Sequence, residues 1–249
     1  MDYNSLKGKN VLITGASSDI GAAIAKKFAS QGANVGLHYF KGKEKIDKLI
    51  EELKKEYNQI VVKSYELNLE QEKLQLVHDF VKDFGRIDIL VNNAGLLDGV
   101  SFFDMTAEQF NRMFAINSRA PYLLSKDAFE YMKQAGKGGR IINISSIAIK
   151  YGRGRNNSIQ YAGSKAALDA LTTGLAVLGA EYNILVNSVM PSVIMTESQK
   201  HREGLQKRVD LIPLKRAGQP EEVANLVVYL TSEEASFITG QIFKISGGE

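Results

Sequence analysis

Short runs of apolar and β-branched residues alternate along this chain with longer stretches whose apolar positions recur with helical periodicity. The seven apolar runs predict β-strands: NVLIT (10–14), NVGLHY (34–39), QIVVKSYEL (59–67), IDILV (87–91), RIINIS (140–145), ILVNSV (184–189) and QIFKIS (241–246). The periodic stretches predict helices over 20–31, 43–57, 70–84, 107–135 and about 160–181, and after Pro220. A parallel return needs a crossover long enough to hold a helix, so this alternation predicts a parallel sheet covered on both faces.

The 249 residues contain no internal repeat, low-complexity tract or Pro/Gly-rich linker that would divide the chain. The simplest interpretation is one doubly wound α/β domain over residues 1–249, with a parallel seven-stranded sheet and helices on both faces. Such sheets bind ligands at the carboxyl ends of their strands, near the topological switch point. Candidate chemistry is therefore expected in the loops that follow the strands.

Composition argues against several classes of function. The 31 basic and 28 acidic residues are scattered and the net charge is +3, so no basic stripe for nucleic acid is expected. The chain has no cysteine and its histidines, His38, His78 and His201, lie far apart, so neither a disulfide nor a metal site is expected. With no signal peptide and no apolar run near the ~18 residues of a membrane span, we expect a cytoplasmic protein without membrane contact.

The segment VLITGASSDIGAAIA (11–25) leads from the first strand through a turn of small residues into an Ala-rich helix. Gly15 and Gly21 bracket this turn, so backbone amides at the helix N-terminus could approach a pyrophosphate. The alternative is a tight connection in which Ser17, Ser18 or Asp19 only caps the helix. A carboxylate at Asp19, about 5 Å from a phosphate charge, would cost roughly 1 to 3 kcal/mol per charge pair.

Tyr161 and Lys165 lie four residues apart in a segment of helical periodicity, which places the phenol and the ammonium on one helix face. A nearby cation favours phenolate, so Lys165 could make Tyr161 a usable acid or base near neutral pH. The alternative for such a pair taken alone is a solvated helix face.

Six motifs occur in a familiar order: TGASSDIG (14–21), NNAG (92–95), INISS (142–146), YAGSK (161–165), PLKRAGQPEEVA (213–224) and ITGQ (238–241). Together they resemble the short-chain dehydrogenase/reductase family over essentially the whole chain, and most closely the pattern of its 3-oxoacyl-[acyl-carrier-protein] reductases. The resemblance implies a Rossmann fold and an NAD(P)-dependent enzyme that transfers a hydride between nicotinamide and a carbonyl or secondary alcohol.

The resemblance also implies a catalytic set of Asn117, Ser146, Tyr161 and Lys165. Ser146 matches the family serine that hydrogen-bonds the substrate oxygen, with Ser145 as its competitor within the SS pair. Asn117 matches the asparagine that interrupts a helix and holds a water linking Lys165 to solvent. Tyr161 would exchange a proton with the substrate oxygen, and Lys165 with Asn117 would resupply it.

Cofactor contacts are carried over onto a larger set of positions: Gly15, Ser17, Ser18, Asp19, Ile20, Gly21, Tyr39, Asn68, Leu69, Asn93, Ala94, Gly95, Tyr161, Lys165, Val193 and Thr196. The end of the second strand carries Tyr39 where an acid would accept hydrogen bonds from a ribose diol, and His38, Lys41 and Lys43 lie near it. These features favour NADP, whereas Asp19 favours NAD. On balance we expect NADP(H), by a small margin.

Substrate and assembly are less closely defined by the sequence. Ser146 and Tyr161 are separated by 15 residues, about two more than in the acyl reductases, and the intervening segment carries Lys150, Arg153 and Arg155. This basic segment either recognises an anionic substrate or is a solvated loop.

The leading interpretation is a 3-oxoacyl thioester reductase. The alternatives are a dehydrogenase of a sugar, polyol or other small alcohol and a non-enzymatic dinucleotide-binding protein. The resemblance further implies a substrate lid over about 192–215 and a homotetramer.

Overall fold

A computed structural model of the chain describes residues 3–151, 158–201 and 203–249. The predicted contribution of Arg153 and Arg155 to a substrate mouth lies outside these residues. No helix in the described ranges is both long and apolar enough to cross a membrane.

Seven strands form one sheet in which every pairing is parallel, in the order β3-β2-β1-β4-β5-β6-β7. The strands are β1 (Asn10–Ile13), β2 (Asn34–Tyr39), β3 (Val62–Glu66), β4 (Ile89–Asn92), β5 (Gly139–Ile144), β6 (Ile184–Pro191) and β7 (Ile242–Ile245). The strand order reverses between β1 and β4, as in a doubly wound sheet. The predicted fold class, a seven-stranded parallel Rossmann sheet, is confirmed.

Ten α-helices occur in the described ranges: α1 (Asp19–Ser30), α2 (Lys43–Glu56), α3 (Leu76–Phe84), α4 (Ala107–Phe114), α5 (Ala120–Ala135), α6 (Ala148–Tyr151), α7 (Ile159–Gly179), α8 (Glu197–Lys200), α9 (Leu205–Val209) and α10 (Pro220–Thr231). They cover both faces of the sheet because neighbouring strand residues point to opposite sides. Val11 and Ile13 pack in the cluster that contains α1, α2 and α10. Leu12 packs in a second hydrophobic cluster, which contains residues of α3, α5 and α7.

Two predicted helices differ from the observed ones. The helix expected over 70–84 begins only at Leu76, because Asn68 Oδ1 accepts the backbone N–H of Glu70 at 3.0 Å and stabilises a turn there. The helix expected over 107–135 is divided by a π-helical turn at Ala115–Arg119. Such turns often mark functional sites, and this one carries Asn117.

Candidate active site

The loops that follow β1 and β4 lie against each other where the strand order reverses. Gly15 adopts φ +66°, and a Cβ there would lie 2.8 Å from Ala94 Cα. A Cβ on Gly21 would lie 2.4 Å from the Gly15 carbonyl oxygen. Both positions therefore require glycine, since backbone atoms cannot yield as a flexible side chain can.

Asn93 holds this turn together from the side of β4. Its Nδ2 donates to the carbonyl oxygens of Thr14 and Gly15 at 2.9 and 3.0 Å. Thr14 Oγ1 in return accepts the backbone N–H groups of Asn93 and Ala94 at 2.9 and 3.0 Å. The Asn93 Nδ2 group is thus committed to shaping the turn, which leaves its Oδ1 and the backbone of this segment for the predicted ribose contact.

The N-terminus of α1 has the donors that an anion needs. Ser18 caps the helix by accepting the Gly21 N–H at 3.1 Å, whereas the N–H groups of Asp19 and Ile20 make no hydrogen bond to a described residue. Orphan amides at a helix N-terminus suit a pyrophosphate. Ser17 lies beside them, 3.3 Å from the position of a Cβ on Gly42. The residues present therefore fit a dinucleotide.

The Asp19 carboxylate is directed toward the predicted lid. Its Oδ2 accepts the backbone N–H of Glu197, the first residue of α8, at 2.7 Å. Ser18, and not Asp19, caps this helix, and the Asp19 carboxylate connects the turn after β1 to a segment 178 residues away.

His38 is a core residue that changes the electrostatic argument about the cofactor. Its Nδ1 accepts the Gly15 N–H at 3.1 Å, so Nε2 carries the proton and donates to the Leu67 carbonyl at 3.1 Å. The side chain is 2% exposed, and burial lowers its pKa to about 4. His38 is therefore neutral at physiological pH, and the expectation that it adds positive charge near the ribose is wrong.

The other residues expected near adenosine differ in how much of each is free to contact a ligand. Tyr39 is buried and its Oη donates to Glu66 Oε2 at 3.1 Å, so an acid does lie beside the end of β2, although it belongs to β3. Asn68 uses its Oδ1 in the turn to Glu70. The Leu69 side chain lies in the core, which leaves only its backbone for a ligand.

On the opposite side of the switch point, the loop after β6 carries the residues expected near nicotinamide. Val193 is half-buried, and its carbonyl oxygen accepts the Gly218 N–H at 2.9 Å. Thr196 precedes α8, and its Oγ1 lies 3.0 Å from Ser198 Oγ. Ser192, which stands where the family usually has glycine, is hydrogen-bonded to the Glu249 carboxylate.

The Ser146 hydroxyl lies beside the Tyr161 phenol, close enough to affect the pKa of the phenol. Ser146 follows β5 and Tyr161 lies in the first turn of α7. Burial raises the pKa of the Tyr161 phenol, and the nearby Ser146 hydroxyl offsets part of that rise. Ser145 is buried, and its Oγ lies near the Asp169 carboxyl, two helical turns beyond Tyr161 on α7. The structure thus brings the second serine of the pair, and not the first, to the tyrosine.

Lys165 lies one helical turn beyond Tyr161 on the same face of α7 and is only 2% exposed. Its Nζ donates to the Ile144 carbonyl oxygen at 2.7 Å. Burial lowers its pKa to about 8, and the charge of Asp169 opposes that shift. At neutral pH the side chain is therefore still mostly an ammonium ion, close to its titration point.

Asn117 is fully buried in the π-helical turn and connects three segments. Its Oδ1 accepts the Leu96 N–H at 2.7 Å, and its Nδ2 donates to the Leu96 carbonyl and to Ser164 Oγ, each at 2.9 Å. A Cβ on Gly95 would lie 3.4 Å from Lys165 Nζ and 3.5 Å from Asn117 Oδ1. Lys165 and Asn117 therefore meet beside one small residue, and the roles of the four predicted catalytic residues stay predictions.

Sequence reasoning missed two polar residues of α7 that support this group. Ser164 accepts the Asn117 amide and donates to the Tyr161 carbonyl at 2.8 Å. Asp169 lies one turn beyond Lys165 and is 7% exposed. The four-residue spacing of 161, 165 and 169 was a usable signal. Within the described ranges, no group of three or more His, Asp or Glu side chains is placed to hold a metal ion.

Comparisons with known proteins agree with this geometry. A family model described as enoyl-(acyl carrier protein) reductase matches residues 15–249. An uncharacterised oxidoreductase of Thermotoga maritima is 40% identical, with 98% of each chain covered. Glucose 1-dehydrogenase 2 of Bacillus subtilis is 34% identical, covering 99% of this chain and 96% of the relative. A short-chain dehydrogenase from Burkholderia cenocepacia, solved in complex with NADP, is 30% identical, with 98% of each chain covered and a TM-score of 0.92.

These relatives support an enzyme rather than a dinucleotide-binding protein without activity. The chain is an NAD(P)-dependent dehydrogenase/reductase that uses a nicotinamide cofactor. It belongs to the short-chain dehydrogenase/reductase family.

Proposed function

We propose that this enzyme transfers a hydride between nicotinamide and a carbonyl or secondary alcohol, with Tyr161 as the proton donor and acceptor. The carrying observation is that the Ser146 hydroxyl lies beside the Tyr161 phenol, with buried Lys165 one helical turn further along α7. The nicotinamide cofactor, when bound, supplies or accepts the hydride.

In carbonyl reduction, the Tyr161 phenol gives its proton to the substrate oxygen as the carbonyl carbon gains a hydride. The product is an alcohol, and the tyrosine is left as a phenolate. Ser146 donates a hydrogen bond to the same oxygen while negative charge develops on it. The Lys165 ammonium stabilises the phenolate. The phenol is protonated at neutral pH and can act as an acid, although burial raises its pKa and so opposes the effect expected from Lys165.

For the substrate, we propose a 3-oxoacyl thioester, and the family model described as enoyl-(acyl carrier protein) reductase supports this acyl class. A sugar, polyol or other small alcohol is the second candidate, favoured by the similarity to glucose 1-dehydrogenase 2. Initial rates with acetoacetyl-CoA and NADPH, compared with glucose and xylitol as substrates with NAD or NADP, separate the two. Turnover of the sugars without turnover of the thioester would contradict the acyl proposal.

For the cofactor, we propose a preference for NADP(H) over NAD(H). The similarity to the Burkholderia cenocepacia enzyme in complex with NADP supports it, as do the exposed Lys41 and Lys43 after β2. Glu66 beside Tyr39 opposes it, and neutral His38 adds nothing. Dissociation constants of NADPH and NADH, measured by protein fluorescence, test the preference. Tighter binding of NADH would overturn it.

For assembly, we propose a homotetramer. Large apolar side chains lie exposed on the outer surface of α4, α5 and α7 and before β7, at Phe110, Tyr122, Val177, Leu178 and Phe237. Apolar area of this kind is usually covered by another protein surface. Light scattering should give four times the 27.4 kDa chain mass, and a Val177→Asp variant should give smaller particles. A monomeric wild-type protein at micromolar concentration would contradict the proposal.

A further inference from the structure

Asp169 places a carboxylate in the interior directly below the proposed proton-transfer site. It is 7% exposed, and it lies one helical turn beyond Lys165, which is 2% exposed. Ser188 Oγ donates to its Oδ1 at 2.8 Å. Ser145 Oγ also lies beside the carboxyl, although not with the geometry of a normal hydrogen bond. An isolated buried carboxylate is costly, so its presence here calls for a compensating group.

The two buried groups are anchored to neighbouring positions of the sheet. Lys165 Nζ donates to the carbonyl of Ile144 on β5, and Asp169 is bonded to Ser188 on β6. Because Asn143 pairs with Ser188 and Ile144 with Val189, these anchors differ by only one step in register. The helix and the two strands thus hold both side chains in fixed places.

The charges around Lys165 are few. On α7 its titratable neighbours are Tyr161 and Asp169. The described residues that face it from β5, from the turn after β4 and from the π-helical turn are neutral: Ile144, Gly95 and Asn117. Asp169 raises the pKa of Lys165 against the larger effect of burial, and Lys165 lowers that of Asp169. Opposite buried charges attract each other, although burial has the larger effect on both pKa values.

We propose that Asp169 is a positioning residue of the proton-transfer site, whose buried carboxylate keeps the Lys165 side chain in its ammonium form beside Tyr161. The inference rests on the proposed function, because it gives Asp169 a role only through Lys165 and Tyr161. With this role for Asp169, α7 carries three functional groups at four-residue intervals: Tyr161, Lys165 and Asp169. Only Tyr161 transfers a proton to the substrate.

The test is the pH profile of kcat for carbonyl reduction in Asp169→Asn, with Ser188→Ala as the matched control. Removing the carboxylate lets Lys165 lose its proton at lower pH, so the alkaline decline of kcat should begin about one pH unit earlier. KM should change less than about twofold. The control removes the hydrogen bond and keeps the charge, so its decline should stay near that of wild type. A purely structural role would scale kcat equally at every pH and leave the decline in place, which would overturn the proposal.

A reciprocal measurement keeps the proposal falsifiable if Asp169→Asn does not fold. The pKa of Asp169, followed by carboxyl ¹³C NMR, should be higher in Lys165→Met than in wild type, because coupling between two titrating groups is mutual. Equal values in the two proteins would overturn the inference. Failure of the proposed function has a different signature, since Tyr161→Phe would then retain turnover whatever the Asp169 titration shows.

Discussion

The Asp19 carboxylate accepts a hydrogen bond from the backbone N–H of Glu197 at 2.7 Å. The turn that fits a pyrophosphate and the first helix of the proposed lid are therefore joined directly. A negative charge in a phosphate-binding turn is unfavourable for an anion. Here that charge has a second function, since it stabilises the backbone of a segment that would cover the substrate.

We predict that Asp19→Gly shifts the ratio of kcat/KM for NADPH over NADH upward by about threefold to tenfold, because a carboxylate that would repel the 2′-phosphate of NADPH is removed. It should also speed proteolytic cleavage within 197–209, because the bond to Glu197 is lost. The matched variant is Asp19→Asn, which loses the charge but keeps an oxygen acceptor. If the ratio is unchanged in both variants, the carboxylate serves only the lid.

We predict that the free energy of unfolding falls at low pH, because His38 is buried in its neutral form. Its pKa is about 4 in the folded chain and about 6.5 when unfolded, so the unfolded state binds a proton first as the pH falls. The stabilisation from neutral His38 is complete above about pH 6.5 and is lost progressively toward pH 4, amounting to about 3 kcal/mol. Urea unfolding at several pH values measures the loss. In His38→Gln the free energy of unfolding should fall less over this range, and an equal fall would contradict the assignment.

The glycines of the first turn should not tolerate a methyl group. Gly21→Ala places a Cβ 2.4 Å from the Gly15 carbonyl oxygen, so we expect a lower Tm and at least tenfold weaker dinucleotide binding. Gly174→Ala in α7 is the matched control, since its Cβ would meet nothing within 4 Å. That change should leave binding intact and stabilise the helix by up to about 1 kcal/mol. Wild-type binding by Gly21→Ala would show that the turn can rearrange.

The alternation of apolar runs and helical stretches was sufficient to predict the sheet, because the spacing of apolar residues shows which positions of each segment are buried. It could not place the start of α3, because the turn in which Asn68 Oδ1 accepts the Glu70 N–H leaves no mark in the apolar pattern. The motifs selected Ser146 over Ser145, and the structure brings Ser146 to Tyr161. Contacts such as Asp19 with Glu197 were beyond sequence reasoning, because they join distant segments through one backbone N–H. The charge state of His38 depends on burial that the local pattern does not reveal.

The proton-transfer role of Tyr161 is the central claim, and the kcat of Tyr161→Phe tests it most directly. This substitution removes one hydroxyl and preserves the ring, so the dissociation constant of NADPH should stay within about threefold of wild type. We predict a loss of about 100-fold to 10,000-fold in kcat, the range expected for removal of a general acid. Ser145→Ala is the control and should keep most of its activity. A Tyr161→Phe enzyme with more than about a tenth of wild-type kcat, at unchanged cofactor binding, would contradict the account.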